Sequence, residues 1–183
     1  MVKIAAMLAD GFEEVEALAV IDILRRADIK TDMISISSLK RVTGTHNIPI
    51  EADLLLEDID LEEYDGIFLP GGMPGTNKLD GCEQLCKSIL DFDREKKLLA
   101  AICAAPKVYG RLGILKGRKA VCYPGFEDCL TGAEVRMKDK VVKDGHIITG
   151  RGMGTAIDLG LVLVEELRDK DTSEKLAAAI QYK

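Results

Sequence analysis

The stretch Leu98-Leu99-Ala100-Ala101-Ile102-Cys103-Ala104-Ala105-Pro106 decides the fold class. Five apolar residues in a row leave no polar face for water, as a central parallel strand requires when helices cover both of its sides. Residues 104–112 continue directly as a helix, so Cys103 falls at the junction of strand and helix. On the N-terminal side, residues 2–8 form a short apolar run closed by Asp10-Gly11. Residues 12–27 follow with Val15, Leu18, Ala19, Val20, Ile23 and Leu24 at mostly helical spacing. Residues 30–37 read as a second strand, and residues 42–53, with Gly44 and Pro49 inside them, as an irregular edge hairpin. A third core strand, residues 64–69, is stopped by Pro70-Gly71-Gly72, and residues 82–95 read as a helix.

Beyond Cys103 the rhythm continues. Residues 119–122 form a short strand, and residues 135–148 a hairpin turning at Lys143-Asp144-Gly145. A long apolar helix spans residues 156–167, and the charged residues 168–173 make a turn before a last helix at 174–181. Strands alternating with helices imply an α/β protein with a doubly wound, mostly parallel sheet sandwiched by helices. A chain of 183 residues suits one such domain, residues 1–183.

Composition narrows the function classes. The net charge of -6 and the lack of any Lys/Arg run argue against nucleic acid as a partner. The N-terminus meets Asp10 and several carboxylates after a short apolar run, which suits neither a membrane span nor a signal peptide, so the expected location is the cytoplasm. Five cysteines at irregular spacings read as reduced thiols in that setting. Cys82 and Cys86 lie one helical turn apart, but two histidines in the whole chain leave them without completing ligands, so no metal site is expected.

In open parallel sheets the binding crevice lies beyond the C-terminal ends of the strands. Four features fall there: Glu13-Glu14-Val15-Glu16, Pro70-Gly71-Gly72, Cys103 with Ala104-Ala105, and Arg151-Gly152. A thiol at a helix N-terminus meets the positive end of the helix dipole, which favours the reactive thiolate and lowers its pKa; the bland alternative is a buried structural cysteine. The N–H groups of Ala104 and Gly72 can together hold the oxygen of a tetrahedral adduct, unless Pro70-Gly71-Gly72 is merely a tight loop. Asp10 and Glu13 have capping-box spacing, which accounts for Glu13. Glu16 is harder to explain by capping: a carboxyl at the crevice rim can be partly buried, stay protonated and exchange a proton with the thiol.

Taken together and in order, Leu69-Pro70-Gly71-Gly72, Ala100-Ala101-Ile102-Cys103-Ala104-Ala105-Pro106, Gly11-Phe12-Glu13-Glu14-Val15-Glu16 and Arg151-Gly152-Met153-Gly154-Thr155 resemble the ThiJ/PfpI superfamily. Within it they are most similar to the branch of the parkinsonism-associated protein DJ-one. The resemblance spans essentially the whole chain. It implies a flavodoxin-like homodimer without a cofactor, with Cys103 as nucleophile, Glu16 as its protonated partner, and Gly72 and Ala104 as oxyanion donors. It further implies a small carbonyl substrate, such as glyoxal or methylglyoxal, or a glycation adduct. The alternative it carries is a stress sensor or chaperone in which Cys103 is oxidised.

Two departures qualify the carry-over. Ala104 stands where the protease-like branch has a histidine, so a Cys-His peptidase lacks its base. Tyr123, before Pro124, stands where the DJ-one branch commonly has a pocket histidine; a phenol with a reference pKa of about 10 is a poorer proton carrier near neutrality. Three further residues carry weaker expectations. His46 stands where the family often has an arginine and is placed to reach across a dimer. Arg151 serves the pocket mouth, a dimer edge or an ordinary surface salt bridge. His146 reads as a surface or interface residue.

Overall fold

The computed structural model describes residues 2–182. Its strands are β1 (Lys3–Leu8), β2 (Lys30–Ser35), β3 (Arg41–Thr43), β4 (Pro49–Glu51), β5 (Leu54–Leu55) and β6 (Gly66–Leu69). They continue as β7 (Leu98–Ile102), β8 (Lys119–Ala120), β9 (Glu134–Val135), β10 (Val141–Asp144) and β11 (Ile147–Gly150). The helices are α1 (Glu14–Arg26), α2 (Gly75–Asp80), α3 (Glu83–Glu95), α4 (Pro106–Arg111), α5 (Ala156–Leu167) and α6 (Lys170–Ala179).

Seven strands form one sheet in the order β10-β11-β7-β6-β1-β2-β5, parallel throughout except for β10 against β11. The chain starts in the middle at β1, builds outward to β2 and β5, then returns to β6 on the other side of β1 and builds outward again. The order therefore reverses between β1 and β6, which is where a doubly wound sheet opens its crevice.

The period-2 alternation of strands divides the core. In β7, Leu99 and Ala101 pack with Ile67, Leu69, Ile89, Phe92 and Tyr109, under α3 and α4. Ala100 and Ile102 point the other way, to Leu8, Phe68, Ile23 and Leu159 under α1 and α5. Each fully buried Leu, Ile or Phe contributes about 1.5–3 kcal/mol relative to leaving it exposed. Helix α3 buries Leu85, Cys86, Ile89 and Phe92, a 3–4-residue spacing, and ends where Lys96 turns left-handed at φ +61°.

Several boundaries differ from the sequence reading for local reasons. Helix α4 begins at Pro106 rather than at 104, because Cys103 is left-handed (φ +64°) and Ala104-Ala105 complete a turn. The 42–53 excursion is a hairpin, but β3 and β4 pair only with each other; the sheet edge is β5, a two-residue strand too short to show periodicity. The β10–β11 turn centres on Gly145-His146, since Asp144 pairs with Ile147. The last helix starts at Lys170, because the Asp169 side chain caps it by accepting from the Thr172 N–H at 2.7 Å.

The packing of α4 supplies a test of this frame. Gly110 faces the 127–130 segment so closely that a Cβ there would lie 2.0 Å from the Cys129 carbonyl oxygen. Gly110→Ala should destabilise the protein by about 1–3 kcal/mol, read as a lower urea midpoint at unchanged slope.

Candidate functional site

Cys103 follows β7 in a left-handed conformation that costs a non-glycine residue about 1–3 kcal/mol, so neighbouring structure must hold it there. Both of its main-chain groups are pinned. Its N–H donates to Gly150 O at 3.0 Å, and its carbonyl accepts from the Tyr123 N–H at 2.8 Å. The sharp turn sends the side chain across the crevice toward β6 rather than along the strand.

There it meets Glu16, whose residue surface is 1% exposed. The carboxyl Oε2 accepts from the Gly71 N–H at 2.9 Å, and the thiol and carboxyl are hydrogen-bonded to each other. A Cβ on Gly71 would lie 2.4 Å from Glu16 Oε2 and 2.6 Å from Cys103 Cβ, so this contact requires glycine. Gly71 was missed from the sequence, where only Gly72 was singled out; the signal was the doubled glycine at the end of a core strand. The backbone N–H groups of Gly72 and Ala104 favour the thiolate of Cys103.

Burial pushes Glu16 up to about 7; the Cys103 and Gly71 hydrogen bonds oppose it and the charge of Glu13 adds to it. Burial likewise pushes Cys103 up to about 12, followed by the charge and hydrogen bond of Glu16, against the N–H groups of Ala104 and Gly72. The expected lowering of the thiol pKa by a helix dipole is thus corrected: α4 is short and starts three residues later, and desolvation beside a carboxyl outweighs it.

The neighbouring glutamates differ. Burial works against ionising Glu14, but hydrogen bonds from the His46 ring, its own backbone, the His46 N–H and Thr45 outweigh it and hold the carboxyl at about 2. Glu13 accepts from the Thr45 hydroxyl at 3.0 Å. The capping box is not formed: Glu13 is itself the N-cap residue without a side-chain cap bond, and Asp10 accepts from the Thr43 N–H instead.

Of the weaker candidates, Tyr123 stands beside Cys103. It is half exposed, and its ring edge lies 3.1 Å from where Gly152 would carry a Cβ. Arg151 turns elsewhere, donating to the carbonyls of Met137 and Lys138 at 3.3 and 3.5 Å, and forms no ion pair among the described residues. His46 folds back onto Glu14 of its own chain, with Nδ1 2.9 Å from Oε2. His146 is not a surface residue: its side chain is 9% exposed and Nε2 lies 2.8 Å from Asp93 Oδ1.

Residues 2–166 match the model of the DJ-1/PfpI family. Protein DJ-1 homolog B of Arabidopsis thaliana is 37% identical over 179 residues, 97% of this chain and 41% of that protein. The chain thus spans less than half the length of that relative. A Pyrococcus abyssi protein named as a deglycase is 31% identical over 156 residues, 83% of this chain and 91% of its own. The structure of oxidized DJ-1 from Toxoplasma gondii superposes with a TM-score of 0.94 at 35% identity, covering 99% of this chain and 98% of that one.

The raised Glu16 pKa has a sign that can be measured. Folding favours the protonated form, so the stability it allows is present below the unfolded value of 4.5 and is lost as pH rises through about 7. Glu16→Gln, which cannot ionise, should gain on the parent protein across that window by about 3 kcal/mol and stay level above it. Urea unfolding of both proteins from pH 4 to 9 measures the difference; parallel curves would show that Glu16 is not held neutral.

Proposed function

The chain belongs to the DJ-1/PfpI family, and from that premise we propose that it is an enzyme of reactive-carbonyl detoxification in which Cys103 is the nucleophile and Glu16 moves the protons. The observation that carries this is the thiol–carboxyl contact over Gly71, with the main-chain N–H groups of Gly72 and Ala104 favouring the thiolate. A relative named as a deglycase supports carbonyl chemistry at the level of the family.

Once the pair has lost its first proton, it holds one negative charge and one proton. With the charge on sulfur, the thiolate is met by three donors: the Gly72 and Ala104 N–H groups and the carboxyl O–H of Glu16. With the charge on oxygen, the carboxylate keeps the Gly71 N–H and the thiol, and lies nearer the negative Glu13. Donor count favours the charge on sulfur, the reactive form, against the burial that raises the thiol pKa.

On a 2-oxoaldehyde such as methylglyoxal, the thiolate forms a C–S bond to the aldehyde carbon, and the carbonyl electron pair becomes an alkoxide. The N–H groups of Gly72 and Ala104 face that oxygen, and Glu16 gives it the carboxyl proton. The resulting carboxylate takes the C1 hydrogen as a proton, forming an enediol, and a proton returns to C2. C1 is thereby oxidised and C2 reduced, leaving a 2-hydroxyacyl thioester. Water cleaves the thioester, releasing a hydroxy acid and the Cys103 thiol. The net change adds one water and needs no external oxidant or cofactor.

Purified protein should convert methylglyoxal to lactate without glutathione; Cys103→Ser should abolish turnover and Glu16→Gln should lower it by about a hundredfold or more. Thiolate absorbance near 240 nm should rise with a midpoint near 7 and be absent from Cys103→Ser. A rise only near 12 would place the charge on Glu16 and remove the nucleophile from neutral pH.

A second reading rests on the same donors, which are equally placed to hold the oxygens of a Cys103 sulfinate formed by two successive oxidations with peroxide. Mass spectrometry after mild peroxide tests it: Cys103 should oxidise before Cys82 and Cys129, and the reverse order ends the sensor reading. The proposal includes a homodimer, supported by Val15 and Leu18, which project from α1 at 50% and 37% exposure.

A further inference from the structure

Several large apolar side chains lie exposed on the surface, and three of them belong to the segments that bound Cys103: Met73 at 42%, Tyr123 at 50% and Met153 at 52% exposure. They lie on three separate connections, after β6, β8 and β11. Met73 comes directly after Gly72, whose N–H favours the Cys103 thiolate. Tyr123 donates its N–H to the Cys103 carbonyl at 2.8 Å. Met153 comes directly after Gly152, and the Tyr123 ring edge lies 3.1 Å from where Gly152 would carry a Cβ.

We propose that Met73, Tyr123 and Met153 form an apolar mouth around Cys103 that selects uncharged 2-oxoaldehydes with an aryl or branched alkyl substituent over glyoxal and over carbonyls bearing a carboxylate or phosphate. This selectivity rests on the reading of Cys103 as a nucleophile.

A single exposed methionine needs no explanation, but three apolar groups gathered beside one thiol make a patch of the kind that takes a ligand. The backbone beneath them is fixed. The Gly71 carbonyl accepts from the Glu13 N–H and the Gly72 carbonyl from the Thr76 N–H, both at 2.9 Å, which holds the turn carrying Met73. The Gly152 carbonyl accepts from the Thr155 N–H and from the Thr155 hydroxyl, both at 2.8 Å, which holds the turn carrying Met153. On this fixed frame the thioether side chains adapt to the shape of a substituent, and the phenol ring offers a face on which an aryl group stacks. An apolar substituent sheds water against these groups, whereas glyoxal carries only hydrogen there and gains nothing.

Charge disfavours the anionic class. Glu13 bears on Glu16 through its charge, so the acidic start of α1 sets the local sign. Two cations of the neighbouring segments are engaged elsewhere: His46 Nδ1 lies 2.9 Å from Glu14 Oε2, and Arg151 donates to the carbonyls of Met137 and Lys138. A carboxylate or phosphate brought to the mouth therefore meets like charge.

The test is alkylation of the full-length protein at Cys103 by iodoacetanilide, iodoacetamide and iodoacetate, which share the reacting carbon and differ in carrying an aryl group, no substituent or a negative charge. In each, the sulfur displaces iodide to form the C–S bond, and the thiol proton goes to water. Mass spectrometry resolved at Cys103 gives each rate, divided by that of glutathione with the same reagent. Iodoacetanilide should exceed iodoacetamide by about tenfold or more, and iodoacetate should be the slowest. Met73→Gln, Met153→Gln and Tyr123→Ser, all at exposed positions, should each cut the aryl preference by about threefold or more. Equal relative rates, a preference unchanged in all three variants, or no reaction at Cys103 would each overturn the apolar mouth. Methylglyoxal turnover without an aryl preference removes the mouth and leaves the enzyme; an aryl preference without turnover does the reverse.

Discussion

Glu16 is buried against a thiol, and a buried carboxyl beside a second acid has few ways to remain in a folded protein. It must lose its charge or find donors: burial raises its pKa to about 7, while Cys103 and the Gly71 N–H stabilise the carboxylate. The surrounding architecture follows from that need. Helix α1 leaves the C-terminal end of β1, the Gly71-Gly72 turn leaves β6 beside it, and Cys103 leaves β7 next in order. Only where the strand order reverses do these three ends open a crevice between them, and only glycine at 71 lets side chains from both flanks meet there.

Three glutamates within one helical turn show how environment divides identical chemistry. Glu14 is nearly as buried as Glu16, yet it stays ionised because the hairpin tip brings it several donors. Glu16 has one backbone donor and a thiol, and burial prevails. The difference lies in what β3, β4 and their connecting loop carry to the helix start, not in the helix itself.

Much of this was legible in the sequence, and the limits are physical. The uninterrupted apolar run of β7 and the spacing of α5 follow from local chemistry, and their bounds agree with the structure. The junction position of Cys103 was visible for the same reason, as was the prospect of burial for Glu16. What the sequence did not show was the sign of the thiol pKa, because that depends on how tightly α1 closes over β7. Nor did it show Gly71, whose role is an absent atom, or the side-chain partners of His46, Arg151 and His146, each set by a segment distant in sequence. The edge strand β5 has only two residues, too few for a period to register.

The bond from Tyr123 to the carbonyl of Cys103 is made by main chain alone. Any residue but proline can supply that N–H, so the anchor that holds the left-handed Cys103 does not depend on which side chain occupies position 123. The side chain there, half exposed beside Gly152, is released from any duty to the fold. Position 123 is therefore a place where selection can vary the character of the crevice mouth, phenol for imidazole or for something apolar, while the reactive centre behind it stays fixed. A single codon change can in this way alter the crevice mouth without first passing through a variant that fails to hold Cys103 in its turn.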